Sequence, residues 1–290
     1  MDAKELIEKI DKARHLSDVL SPAGIGKQYK KAAKLLHPDR CRLAGAGAAL
    51  ARLNQLKEIH EKGIPFVDDA GEFRVFGRSA VFGNLGAMHD VSYRNFRLLS
   101  THGDEASEHF RRYLPRSMDP GRGQMPLRFP HRAIPASGLT LPQEHVNWVL
   151  SRMLEFCAWL SQIGYVHCGL NPESVFIVPE THGIMVVSFY HLCRKDSRMK
   201  TISAKYRNWY PAEVFSRKRA LPAVDLELCK RTAACLLGDR SGLGIKFKKT
   251  HNKDFINFLL KRHTDALACY DEYRMLLRRN FEQKFYPLEI

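Results

Sequence analysis

The sequence predicts an α+β fold in two parts: a small all-helical module over residues 1–64 and a bilobal α+β domain over 65–290. Three observations carry this. The first 62 residues show helical periodicity and no strand-like run. At Gly63-Ile64-Pro65 the composition turns to aromatic, β-branched and glycine residues. Beyond residue 142 a long apolar stripe is followed by two short strand-like runs and then by helices. Strands first and helices afterwards is the pattern of an α+β domain, with a small lobe over about 65–135 and a large helical lobe over about 136–290.

Taken in order, Leu6, Ile7, Ile10 and Ala13 give the first helix one apolar face. Ser21-Pro22 opens a break, with Gly24 and Gly26 close behind. Ile25, Tyr29, Ala32 and Leu36 mark one face of a second helix. Pro38 stops it, because an interior proline loses a backbone donor and clashes with the preceding turn. Ala46, Ala49, Leu50, Leu53 and Leu56 mark a third helix. "GEFRVFGRSAVFG" and "VSYRNFRLLS" have the content of strands and turns, "GDEASEHFRRYL" returns to helix, and Arg116 to Pro142, rich in Pro, Gly and Arg, predicts irregular chain. Val146, Val149, Leu150, Met153, Cys157 and Leu160 then predict a core helix over about 143–163. "SVFIV" and "GIMVVSF" predict strands, and the chain from about Pro211 predicts helices.

An apolar fraction of 44% is ample for a packed core. The longest apolar runs fall far short of the ~18 residues a membrane helix requires. The first residues alternate acids and bases with no apolar secretory core, which predicts a cytoplasmic chain and no membrane partner. Seven scattered cysteines, with no CxxC pair, predict reduced and mostly buried thiols rather than a disulfide framework or zinc site. Thirteen histidines fall in no HxxxH or HExxH spacing, so no metal site is expected. The net charge of +15 permits an acidic protein, nucleic acid or anionic lipid as partner. Its one dense cluster, Lys246–Lys253, lacks interleaved base-stacking aromatics, so nucleic acid is a possible partner and not the favoured one.

Lys27, Lys30, Lys31 and Lys34 lie opposite the apolar face of the second helix, which therefore packs on one side and presents four ammonium groups on the other. His37 and Asp39 flank a proline that fixes the turn. A plain proline-terminated helix with solvated lysines accounts for the spacing alone. The ordered set of helix, basic helix, "HPD" and helix, with the string "YKKAAKLLHPDR", resembles a J domain, the module with which co-chaperones dock on DnaK-type chaperones. The resemblance implies that His37, Pro38 and Asp39 contact that partner and that the lysine face steers toward an acidic surface. The short stretch before the second helix departs from the common form of the module.

A second motif, "HCGLNPESVFI" from His167 to Ile177, has the rhythm of the catalytic loop H-R-D-L-x-x-x-N. A long helix precedes it and "IMVVSFY" follows where a strand and D-F-G would stand. "NWYPAEVF" resembles the end of an activation segment, and "AVDLELCKRTAACLLG" the buried helix after it. Together, residues 140–240 resemble the large lobe of a protein kinase.

The chemical positions of that frame are changed. The resemblance puts Gly169 at the catalytic aspartate, Asn171 at the neighbouring lysine, and Ser174 and Ser188 at the two metal-holding positions. Phosphoryl transfer rests on metal-centred charge stabilisation, and two hydroxyls supply no negative charge. No lysine lies between Lys62 and Lys195, so the strand lysine that would hold phosphates is missing, with Arg94 or Arg97 as candidate substitutes. The glycines of "FGRSAVFGNLG" do not form G-x-G-x-x-G.

The resemblance leaves structural roles to His167, to Phe189 as a core aromatic, to Glu213 paired with Arg274, and to Asp225 accepting backbone hydrogen bonds from the loop. Cys168 replaces the arginine that would clamp an activation-segment phosphate. Tyr190 is a candidate to fill the space between the lobes. The expected function is a pseudokinase adaptor or co-chaperone. It would need no cofactor, ATP without Mg²⁺ being the one alternative, and would bind a DnaK-type chaperone and an unidentified protein client. The rivals are an unconventional nucleotide-dependent transferase on the same frame and a basic nucleic-acid-associated protein.

Overall fold

In the computed structural model, residues 2–13 and 15–288 are described. The chain falls into two compact units, Met1–Phe66 with Arg74–Gly77, and Val67–Phe73 with Arg78–Ile290.

The first unit contains α1 (Ala3–Lys12), α2 (Leu16–Val19), α3 (Ile25–Leu36) and α4 (Ala46–Lys62). Asp2 caps α1: its carboxylate accepts from Glu5 N at 2.9 Å while Glu5 accepts from Asp2 N at 3.1 Å, so two otherwise orphaned donors are satisfied. Leu6 and Ile10 of α1, Leu16 and Val19 of α2, Ala32 and Leu36 of α3, and Ala49, Leu53 and Leu56 of α4 close into one core. The turn of α2 is an addition to the three helices read from periodicity, being too short to show a period. Tyr29 donates its hydroxyl to Asn54 Oδ1 at 2.6 Å, locking α3 to α4.

The chain runs on through β1 (Ile64–Asp68) and β2 (Gly71–Val75). In the second unit follow β3 (Ser79–Gly83), α5 (Ala87–Ser100), α6 (Ser107–Arg111), β4 (Ser117–Met118), β5 (Gln124–Arg128) and β6 (Ile134–Pro135). One sheet has the strand order β1-β2-β3-β5-β4. β3 pairs antiparallel with β5 from Ser79↔Arg128 to Gly83↔Gln124.

Two expectations are corrected here. Residues 91–100 are not strand: Ser92, Phe96 and Leu99 are buried at spacings of four and three, and that helical period overrides the β-like composition. The span 116–142 is not irregular throughout. It carries β4, β5 and β6, and Met125 and Leu127 alternate inward along β5 between proline and arginine.

Next come α7 (Gln143–Gln162), β7 (Tyr165–Val166), β8 (Val175–Val178), β9 (Gly183–Val186) and β10 (Cys193–Arg194). β8 lies between β6 and β9, and β7 pairs with β10. Last come α8 (Ala212–Arg217), α9 (Pro222–Leu236), α10 (Lys253–Leu260) and α11 (Ala266–Asn280). α7 and α9 are buried on most of their length, as their lack of a polar face requires. The whole is mixed helix and sheet. Among the described residues no helix is long and apolar enough to cross a membrane.

Candidate functional site

Two places collect the residues singled out by sequence. In the first unit, α3 ends at Leu36, whose side chain is buried, and His37 turns to an extended backbone before Pro38. The His37 and Asp39 side chains are 52% and 85% exposed, with His37 Nδ1 3.3 Å from Asp39 Oδ2. Asp39 N donates to His37 Nδ1 at 3.3 Å, so the imidazole is tied to the backbone at the tip of the turn. Lys27, Lys30, Lys31 and Lys34 are all exposed on the same helix, while Ala32 and Leu36 face the core. This is a solvent-facing surface with a preformed turn at its end.

In the second unit the loop 167–174 lies between β7 and β8, above α9. Asp225 of α9 accepts from His167 N and from Cys168 N, both at 2.7 Å. Burial holds the Asp225 carboxyl up at about 7, against the downward pull of those two donors. Cys168 has φ +60°, a strained conformation for a side chain with a Cβ. Besides its bond to Asp225, it is fixed by the Tyr210 hydroxyl, which donates to Cys168 O at 2.7 Å. The His167 ring packs between Phe156 and Phe189, and burial depresses its pKa to about 3, so it is neutral. Phe189 is fully buried against Phe96 of α5. Its backbone N–H donates to Ser92 Oγ at 2.9 Å and its carbonyl accepts from Asn95 at 2.8 Å.

Ser174 and Asn171 hold the loop from within, whereas both ring nitrogens of His167 are buried with no hydrogen-bond partner among the described residues. Ser174 Oγ donates to Gly169 O at 2.7 Å and accepts from Asn171 N at 2.9 Å. Asn171 Oδ1 accepts from Glu173 N at 2.9 Å and from Ser174 N at 3.1 Å. Both polar side chains are committed to shaping the turn.

Gly169 has no room for a side chain. A Cβ there would lie 2.6 Å from His191 Cδ2 and 3.2 Å from His191 Cβ. His191 is itself pinned: Asp69 Oδ2 accepts from Nε2 at 3.4 Å, which leaves Nδ1 to accept from the Thr201 hydroxyl at 2.8 Å. Burial alone would raise Asp69, but the hydrogen bonds from His191 and Ser203 outweigh it and leave the carboxyl below its ordinary value.

The turn between β1 and β2 supplies what sequence reasoning missed. Ser188 Oγ donates to Asp68 Oδ2 at 2.6 Å, and Asp68 Oδ1 accepts from Ala70 N and Gly71 N. Burial raises Asp68 above the usual carboxylate range. Glu173 is likewise raised by burial, opposed by its ion pair with Lys205. Asp68, Asp69 and Glu173 thus gather around the loop, each from a position with no local signature. Each is already engaged, by Ser188, His191 and Lys205 respectively. Among the described residues no group of three His, Cys, Asp or Glu side chains is arranged to hold a metal ion.

Other expected residues fall elsewhere. Glu213 pairs with Arg262, not Arg274, which instead lies over the Tyr270 ring at 5.5 Å. Arg262 follows α10 and faces the start of α8, whereas Arg274 sits two turns into α11. Arg94 and Arg97 are exposed on α5, and β3 turns Ala80 and Phe82 inward, so no cation of these elements enters the cleft. Phe82 meets the ring of His89 at 5.4 Å. The Tyr190 ring is buried beside His191. In the basic cluster, Lys246 donates to Gly238 O and Phe247 is buried, leaving no exposed ring for base stacking there.

Compared with known proteins, the chain matches no family model and no curated protein.

Proposed function

We propose that the chain is a non-catalytic adaptor. Its helical module would recruit a DnaK-type chaperone in the manner of a J domain. Its larger unit, on a protein-kinase-like frame, would hold a protein client without phosphorylating it. The observation that carries this reading is the exposed His37-Pro38-Asp39 turn at the end of a helix whose outer face is lysine and whose inner face is core. Four ammonium groups beside a rigid turn accelerate encounter with an acidic partner, and the turn supplies the specific contact.

The cleft argues for binding over phosphoryl transfer on separate physical grounds. That chemistry needs carboxylates free to hold Mg²⁺ and to orient the attacking hydroxyl. Here Ser174 and Ser188 stand at the metal-holding positions, both committed to protein hydrogen bonds, and His191 occupies the space beside Gly169. A nucleotide and its metal do not fit this set of groups. Asp69, held ionised, would also repel a triphosphate. The transferase reading rests on Asp68, Asp69 and Glu173, which would first have to leave their present partners.

The recruiting half is tested by the ATPase rate of a purified DnaK-type chaperone with the full chain added. The wild type is expected to stimulate it and His37→Gln to abolish stimulation with the fold unchanged by circular dichroism. Equal stimulation by the variant would refute the link.

A further inference from the structure

Away from the cleft, a cavity of about 510 Å³ opens behind the strand pair β8–β9. That volume lies within the range that holds small organic ligands, roughly 300–1,000 Å³. Its floor is apolar: Tyr113, Leu114, Val178 and Met185 are all buried. Its walls carry Arg111, Arg112, Arg116, Arg152, His131 and His182, and no aspartate or glutamate lines it.

The neighbouring carboxylates do not balance that charge. Glu155 is shared by Arg152 at 3.3 Å, Arg112 at 3.8 Å and His109 at 3.1 Å, and it also accepts the Tyr113 hydroxyl at 2.6 Å. Glu180 pairs with His131 at 3.0 Å. Arg111 donates to a backbone carbonyl, that of His102, and among the described residues no carboxylate pairs with Arg111 or Arg116. Both are exposed at the mouth, so their charge stays hydrated and available.

We infer that this cavity binds a small amphipathic anion, an acyl or aryl body on the apolar floor with a single carboxylate or phosphate head at Arg111 and Arg116. Guanidinium forks match either head in bidentate fashion. The site draws Arg116, Pro130 and His131 from the chain around β4 and β5, Arg152 from α7, and Val178 and His182 from the β8–β9 hairpin. An occupant therefore ties these segments together and raises the unfolding temperature by mass action.

The test is calorimetric titration of the full chain with laurate, dodecyl phosphate and uncharged dodecanol, each below its aggregation threshold. At least one anion is expected to bind at a single saturable site, and dodecanol about tenfold or more weakly, the loss of a charge-assisted contact. Which anion binds more tightly identifies the head group. The double variant Arg111→Glu/Arg116→Glu is expected to weaken the anion by a similar factor at an unchanged unfolding temperature of the free protein. Thr181→Trp, which narrows the exposed mouth without touching charge, is expected to weaken all three. The inference is overturned if neither anion saturates a site. It is equally overturned if dodecanol binds as tightly as the anions, or if neither variant changes their affinity.

Discussion

Gly169 and His191 set the chemistry of the cleft at the scale of single residues. The imidazole stands where a side chain on residue 169 would have to go, and Asp69 and Thr201 hold it there. Gly169→Ala is therefore expected to lower stability by about 1–3 kcal/mol through overpacking, measured by denaturant unfolding. In a His191→Ala background most of that loss should disappear, whereas strictly additive losses would mean that the two positions do not compete for space.

Asp225 gives a pH signature. Its folded pKa of about 7 stands above its ordinary 3.8, so the folded state binds more protons than the unfolded chain in between. The stability contributed by this group is fully present at acid pH and is lost as pH rises through about 7. The loss of stability on Asp225→Asn should accordingly shrink from pH 5 to pH 8, read as the difference between wild-type and variant unfolding free energies. A loss that grows with pH would mean that the two backbone donors, and not burial, dominate that carboxyl.

At the scale of elements, the turn between β1 and β2 is fastened to the segment that follows β9. Asp68 ties it to Ser188 across 120 residues of sequence while accepting from Ala70 N and Gly71 N. Asp68→Ala is expected to cost about 1–3 kcal/mol by leaving buried donors unmatched. It should also speed hydrogen exchange at the Ala70 and Gly71 amides, and unchanged exchange there would show that the turn is held by other means. Legibility followed the same logic. Helices α1, α3, α4 and α7 were readable because each repeats a 3.6-residue apolar pattern long enough to count. Helix α5 is masked by a strand-like composition, although Ser92, Phe96 and Leu99 keep helical spacing. Strand β5 was hidden by the prolines and arginines around Met125 and Leu127.

At the scale of the whole molecule, Gly169, Ser174 and Ser188 could be singled out directly, because the motif that the sequence resembles fixes their positions. What surrounds them could not. The bonds from Asp68 to Ser188 and from Asp69 to His191 join residues far apart in sequence, and no local pattern marks either partner. The same holds for Glu213, whose partner Arg262 comes from the end of a helix that sequence did not delimit. The exposed turn at His37-Pro38-Asp39 and the internally bonded carboxylates Asp68, Asp69 and Glu173 are the two features on which the proposed function rests. The central claim is that this chain acts by binding and not by phosphoryl transfer. Calorimetric titration of the full chain with ATP, with and without Mg²⁺, tests that claim most directly. The account predicts no saturable binding in either case, whereas ATP binding that tightens when Mg²⁺ is added would contradict it.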